Sequence, residues 1–351
     1  MSEPAIPISN LYYLFCYAWN RFEEARAIST GAEDSSDLPN LLARVLVTGV
    51  RSLLRRGLDR NYLPLQEELR TVRGHIELGP TLRLQARSAK RIVCSYDELS
   101  HDLLHNQIIK ATLRRLLKIR SLDPTLAREI QILILRMPDV TDIGIKASAF
   151  ARVQLHRNNA RYDLLLKICE LVFDSLIPAK GGSGYAFQDV LRDERKMARV
   201  FEDFVRNFYR ASQRVFQVKP LQLAWQAVPL SSGGLGRLPV MRSDVYLDSG
   251  RRRIIIDTKY YAEAMQERFG SVSFRSDNLY QLFAYLRNDA ASRPQAIVSE
   301  GVLLYPQVKH EFDAAYDIHG HRVRLYTVDL AQPWRSIEDR LSYLIGEQAQ
   351  A

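Results

Sequence analysis

Cysteine is scarce. Cys16, Cys94 and Cys169 are the only three in 351 residues, and none stands in a CxxC pair. That excludes a zinc cluster, argues against a disulfide framework, and leaves three small hydrophobes for burial. Long apolar runs are missing too: nothing approaches the roughly 18 residues that cross a bilayer. The opening MSEPAIPISN lacks a basic region followed by an apolar core, so no targeting segment is expected. The reading is a cytoplasmic protein with no membrane partner. No GxxxxGK[ST] phosphate loop occurs, so the chain carries no nucleotide motor of that class. No zinc finger or other base-reading module is recognisable, and there are no internal repeats or low-complexity tracts.

What is present describes a globular protein. The hydrophobic fraction is 46% and the charged fraction 25%, ordinary values for a folded chain. The length allows two or three domains with separate cores. A net charge of +9 and a pI near 9.4 point to a polyanionic partner, nucleic acid first. The glycine-rich break Pro178-Ala-Lys-Gly-Gly-Ser-Gly184 divides the chain into expected domains 1–177 and 178–351. Ser231-Ser-Gly-Gly-Leu-Gly236 reads as a second loop.

Upstream of the break, Leu11 to Trp19 is aromatic and apolar enough for a core element. Ser95-Tyr-Asp-Glu98 has capping-box spacing. Leu99, Leu103, Leu104, Ile108, Leu113, Leu116 and Leu117 follow at helical spacing, which predicts one long helix to about Arg120. Its cations (Lys110, Arg114, Arg115, Lys118, Arg120) read as a solvated face. Downstream, Asp193 caps an expected helix with an apolar stripe of Met197, Val200, Phe201, Phe204, Val205 and Phe208. A strand pair within 244–257, a helix from about Ser276 to Arg287, strands at Val302–Tyr305 and Val323–Val328, and a helix around Trp334–Leu344 complete the pattern. That order implies an α/β (α+β) domain with a central mixed sheet flanked by helices, beside a helix-rich mixed N-terminal region.

The chemistry gathers where the apolar strand Ile254-Ile-Ile256 runs into Asp257-Thr-Lys259. If Gly250-Arg251 forms a two-residue type II′ turn, Ser249 pairs with Arg252 and Asp244 comes to lie opposite Asp257. Opposed side chains have Cβ atoms roughly 4.5–5.5 Å apart, and Lys259 points to the same face as Asp257. Two facing carboxylates repel, so one takes a proton or a cation sits between them. Oxygen donors of this kind suit Mg²⁺, which keeps several waters and commonly meets phosphate. A nearby lysine can orient water and neutralise charge developing on phosphorus. The plainer alternative is that a common D-x-K triplet simply ends a strand. Against it stand the isoleucine strand, the hairpin-compatible Asp244, and Gln281 with Tyr285 on one face of the next helix.

These residues resemble the PD-(D/E)XK nuclease superfamily, and Gln281-Leu-Phe-Ala-Tyr285 is similar to the QxxxY element of its RecB-like branch. The resemblance implies metal binding by Asp244 and Asp257 with the Thr258 carbonyl assisting, and Lys259 beside the attacking water. Gln281 and Tyr285 would support the site or contact DNA. A glutamate on the preceding helix commonly completes such sites; Glu202 is the candidate, with Glu194 as the alternative. No proline directly precedes Asp244, an element that is loose across the superfamily.

A longer resemblance runs along nearly the whole chain. Ile6-Pro-Ile-Ser-Asn-Leu-Tyr-Tyr-Leu14, Tyr17-Ala-Trp19, Arg73-Gly-His-Ile-Glu77, Ser95–Ser100, Asn106–Lys110, Leu238–Asp244, Asp257–Tyr261 and Asn278–Gln281 look like the McrC family, the nuclease subunits of McrBC modification-dependent restriction systems. That implies a Mg²⁺-dependent endonuclease half that leaves 5′-phosphate and 3′-hydroxyl ends. It also implies an N-terminal half docked to a hexameric AAA+ GTPase of the McrB type, whose GTPase it stimulates. The partner would bind GTP, recognise 5-methylcytosine and move double-stranded DNA. The helical region around 95–175 is the expected docking face, its exposed arginines toward the ring. Two alternatives stay open: a GTPase-activating adaptor with a vestigial nuclease site, and a stand-alone RecB-like nuclease.

Overall fold

Leu11, Tyr12, Leu14, Phe15, Cys16 and Tyr17 are all buried on one short helix, α1 (Ile8–Ala18), the core element expected there. The computed structural model describes residues 6–21, 37–85, 90–178, 185–187, 193–228, 230, 237–260, 265–268, 271–292, 297–307 and 311–346. The loops expected at 179–184 and 231–236 lie outside the described residues. The chain forms two compact units: residues 35–188, and residues 1–34 together with 189–351. The units meet in sequence at 188/189, where 177/178 was expected, and α1 belongs to the C-terminal unit. The reason is its aromatic face. Tyr17 packs against Phe204, Phe208 and Trp334, and Asn207 Nδ2 donates to the carbonyls of Tyr17 and Ala18 at 2.9 and 3.0 Å.

Unit 35–188 comprises α2 (Leu38–Arg56), β1 (Asn61–Leu69), β2 (His75–Ile76), α3 (Leu78–Gln85), β3 (Ile92–Ser100), α4 (Leu104–Leu116), α5 (Pro124–Leu135), α6 (Ala147–Ala151), α7 (Tyr162–Ser175), β4 (Leu176–Pro178) and β5 (Tyr185–Phe187). Asp37 caps α2 by accepting from the Asn40 N–H, and Asp123 caps α5 through Thr125 and Leu126. The long helix expected from Ser95 is corrected here. Residues 92–100 form strand β3, paired antiparallel with all of β1, and the helix begins only at Leu104. Ser95 caps nothing; its hydroxyl donates to Glu77 Oε1 at 2.7 Å. A nine-residue ladder outweighs one side-chain cap, and S-x-x-E spacing is compatible with either structure.

Two stretches singled out in the sequence meet in this sheet. His75 pairs with Ser95 and Ile76 with Cys94, while Arg73 stacks on the Tyr96 ring at 3.9 Å. Gly74 has φ 67°, and a Cβ there would lie 2.4 Å from the Ser95 carbonyl oxygen. Only glycine fits that turn. Lys110 also departs from expectation. It is buried rather than solvated, and its ammonium donates to the Met137 and Val140 carbonyls at 2.9 and 2.6 Å. Arg114, Lys118 and Arg120 are exposed as expected. All three cysteines are buried, and none is in a disulfide.

The other unit is built on a six-stranded mixed sheet of order β12-β13-β11-β8-β7-β6. The strands are β6 (Gln217–Leu223), β7 (Met241–Asp248), β8 (Arg253–Thr258), β11 (Glu300–Pro306), β12 (Asp313–Ile318) and β13 (His321–Val328), with a small hairpin of β9 (Met265–Arg268) and β10 (Ser271–Phe274). Strand β11 runs parallel to β8 and β13, and the β8–β11 crossover carries helix α9 (Ser276–Ser292). Parallel neighbours require such a crossover. Helix α8 (Glu194–Ser212), capped by Asp193 as expected, packs on β6, β7 and β8, and α10 (Trp334–Ile345) on β13. Helix α9 lies close to the sheet because β11 offers a glycine beneath it. A Cβ on Gly301 would meet Leu286 and Leu282 at 2.9 and 3.0 Å. No described helix is long and apolar enough to cross a membrane.

Candidate active site

The β7–β8 hairpin has the register that the turn chemistry predicts. Val245 pairs with Ile256, Tyr246 with Ile255, Leu247 with Ile254 and Asp248 with Arg253. The Ser249 N–H donates to the Arg252 carbonyl at 3.1 Å across the turn. Gly250 has φ 76° and Arg251 does not share the positive sign, as a type II′ turn requires. The paired ladder ends at Val245 and Ile256, so Asp244 and Asp257 are the next residues on the two strands, at its open end. Ile254, Ile255 and Ile256 are fully buried, so the backbone that delivers Asp257 is fixed by packing.

Asp257 is itself only 1% exposed. Lys259 Nζ lies 2.7 Å from its Oδ2 and donates to Gln281 Oε1 at 2.9 Å. Gln281 Nε2 then donates to the Tyr285 hydroxyl at 2.7 Å. One chain of contacts therefore joins Asp257, Lys259, Gln281 and Tyr285. Asp244 is held separately. Its Oδ2 accepts from the Thr258 N–H at 2.7 Å and the Thr258 hydroxyl at 2.8 Å. Thr258 thus positions a carboxylate through donors that the sequence reading did not assign to it.

Glu202 lies on α8, paired with Arg206. Burial, then the nearby Asp244 carboxylate, raises its proton affinity. Glu194 sits eight residues earlier in the exposed first turn of the same helix. Glu202 is among the charges felt by Asp257. Arg206 was not anticipated. Its Nε donates to the Asp244 carbonyl at 2.9 Å and its Nη1 to Asp203 at 2.7 Å, tying α8 to β7 beside the site. The signal was available: Glu202 and Arg206 are four apart, the spacing of a helical ion pair.

The electrostatics follow from this crowding. Burial first, with Asp244 and Glu202 adding, pushes the Asp257 carboxyl from an ordinary 3.8 up to about 7, against the pull of Lys259. Tyr285 is pushed up to about 12 by burial and by the Asp257 charge. Lys259 answers one carboxylate and Arg206 answers Glu202, which leaves the Asp244–Asp257 pair one negative charge in excess. A proton on Asp257 or a cation must supply the balance. Among the described residues, no donor reaches Asp244 Oδ1, and no three His, Cys, Asp or Glu side chains form a closed metal cage. Two carboxylates with an open sphere fit an ion that keeps its waters, such as Mg²⁺.

Comparison with known proteins identifies relatives of the whole chain. A family model described as the McrBC 5-methylcytosine restriction system component matches residues 9–306. The chain is 31% identical over 347 residues to the type IV methyl-directed restriction enzyme EcoKMcrBC of Escherichia coli strain K12, covering 99% of each sequence. Its fold is similar to a chain in the refined half-complex from a tetradecameric assembly of Thermococcus gammatolerans McrB AAA+ hexamers with bound McrC. The TM-score is 0.59 at 19% identity, over 97% of this chain and 76% of that one.

Proposed function

Because the chain belongs to the family of McrBC 5-methylcytosine restriction system components, we propose that it is the DNA-cutting subunit of such a system, a Mg²⁺-dependent endonuclease. Its partner would be a McrB-type hexameric AAA+ GTPase, which binds GTP and reads 5-methylcytosine in double-stranded DNA; the chain itself contains no phosphate loop. Unit 35–188 is the docking region that stimulates the partner's GTPase. The observation that carries the nuclease reading is the alignment of Asp244 and Asp257 in one hairpin, with Lys259 on Asp257 and Gln281.

Asp244, Asp257 and the Thr258 carbonyl would hold the ion. When bound it neutralises charge on the phosphate and makes a water more acidic. The chain's own groups do the rest. Asp257 gives up the proton it otherwise holds near neutral pH. Lys259, held by Gln281, places an ammonium beside the phosphate oxygens, where negative charge grows as water adds to phosphorus. Tyr285 and Thr258 hold Gln281 and Asp244 in place. A vestigial site would not need this whole constellation.

The test is cleavage of methylated and unmethylated plasmid with Mg²⁺ and GTP, with and without the candidate GTPase. Cutting of methylated DNA only in the complete mixture is expected. Equal cutting without the GTPase would favour a stand-alone nuclease, and normal cutting by Asp257→Ala would overturn the site.

A further inference from the structure

The stretch 204–243, which ends at Asp244, contains no aspartate or glutamate, yet it carries Arg206, Arg210, Arg214, Lys219, Arg237 and Arg242. In a chain with 40 acidic residues such a gap is a run of cations with no acidic neighbour along its own stretch, the kind of charge bias that favours a polyanion. It holds the last turns of α8, the edge strand β6, and the start of β7. Arg206 and Arg210 are engaged within the unit, and Lys219 lies 5.9 Å over the Tyr246 ring. Arg237 and Arg242 differ: both are exposed, and among the described residues neither has a hydrogen-bond or ion-pair partner.

Arg242 pairs with Gln222 on β6 and precedes Asp244 by two residues, so both leave the strand on the same face. At about 3.3 Å per residue they are separated by roughly one phosphate spacing. The connection between β6 and β7 is fastened at its base. The Trp225 indole N–H donates to the Pro239 carbonyl at 2.8 Å, and the Gln226 N–H donates to Asn288 on α9 at 2.8 Å. Around these ties, Val228, Leu230, Leu238 and Val240 stand exposed, Leu230 almost completely. Exposed apolar groups beside arginines that have no ion-pair partner among the described residues suit a nucleic-acid backbone and groove.

Resting on the nuclease reading, we propose that the β6–β7 edge is the duplex-gripping surface of the unit. Arg242 and Arg237 contact phosphates flanking the one that is cut and so position the strand over Asp244 and Asp257. They are positioning residues; the reacting atoms belong to the site beside them. The occupant is double-stranded DNA, and a second copy of this chain pairing along the β6 edge is the competing outcome.

The experiment uses the full chain with its GTPase and compares Arg242→Ala, Arg237→Ala, Arg242→Lys and, as a control cation on α10, Arg335→Ala. Each of the first two should raise the KM for methylated DNA three- to tenfold with little change in kcat. Each should also lower the salt-dependence slope of binding by about 0.9, the value of one lost phosphate contact. Arg242→Lys should recover most of the affinity, and Arg335→Ala should match wild type. If the wild type cuts while Arg237→Ala and Arg242→Ala keep its KM and salt slope, the proposal fails and the nuclease reading stands. A concentration-dependent dimer lost in Arg242→Ala, with DNA affinity unchanged, would overturn it in favour of self-association. Failure of the wild type itself to cut would sink the nuclease reading instead.

Discussion

A carboxyl group with one per cent of its surface exposed, crowded by two other carboxylates, is a site that resists ionisation. Asp257 is that group. Its folded value is raised above its unfolded one, so it contributes stability that is fully present below about pH 4 and lost as pH rises through about 7. Removing the charge should therefore stabilise the protein on the alkaline side. Asp257→Asn is expected to raise the melting temperature at pH 8 and to leave it nearly unchanged at pH 4.5, which calorimetry at both values checks. Mg²⁺ should supply the same relief by binding the ionised pair. At pH 8 the melting temperature of the wild type should rise with Mg²⁺, and that of Asp257→Asn should not. For catalysis, Asp257→Ala and Lys259→Ala are each expected to reduce cleavage at least a hundredfold while GTPase stimulation persists, measured side by side on one preparation.

At the level of elements, the site depends on how closely α9 approaches the sheet. Gly301 permits that approach, and α9 delivers Gln281 and Tyr285. Gly301→Val should cost about 1–3 kcal/mol by overpacking and lower kcat by displacing Gln281 from Lys259; urea unfolding and kinetics measure the two effects. Much of this layer was legible in advance. The isoleucine run, the Gly250 turn and the spacing to Asp244 contain the hairpin register, because turn type and period-two alternation are local rules. The same local rules misread Ser95–Glu98, where pairing with β1, some thirty residues away, decides the structure. Lys110 was misjudged for a similar reason: the carbonyls that bury it belong to Met137 and Val140, which no helical wheel contains. Arg206 was overlooked although its spacing to Glu202 was visible. Its contact with the Asp244 carbonyl was not visible, since it joins a helix to a strand 38 residues later.

On the scale of the whole molecule, two units imply separable stabilities. Asn207→Ala removes both donors to the end of α1. It is expected to cost about 1–3 kcal/mol for the stranded carbonyls, confined to the unit that holds the candidate site. Urea unfolding should show two transitions, with only one shifted, and cleavage should fall with it while stimulation of the partner's GTPase is retained. The return of α1 to the far unit had no local mark.

That return also sets the order of manufacture. Asn10 donates to the carbonyls of Leu330 and Gln332, and the Tyr17 hydroxyl to Glu338, residues the ribosome adds more than 300 positions later. At about 5–20 residues per second, the first helix waits many seconds for the surface that covers it, while unit 35–188 can close early. A chain terminated before residue 330 would therefore display unit 35–188 without a finished candidate site. The unit that holds the candidate site can close over this helix only once residues 330–338 have been made.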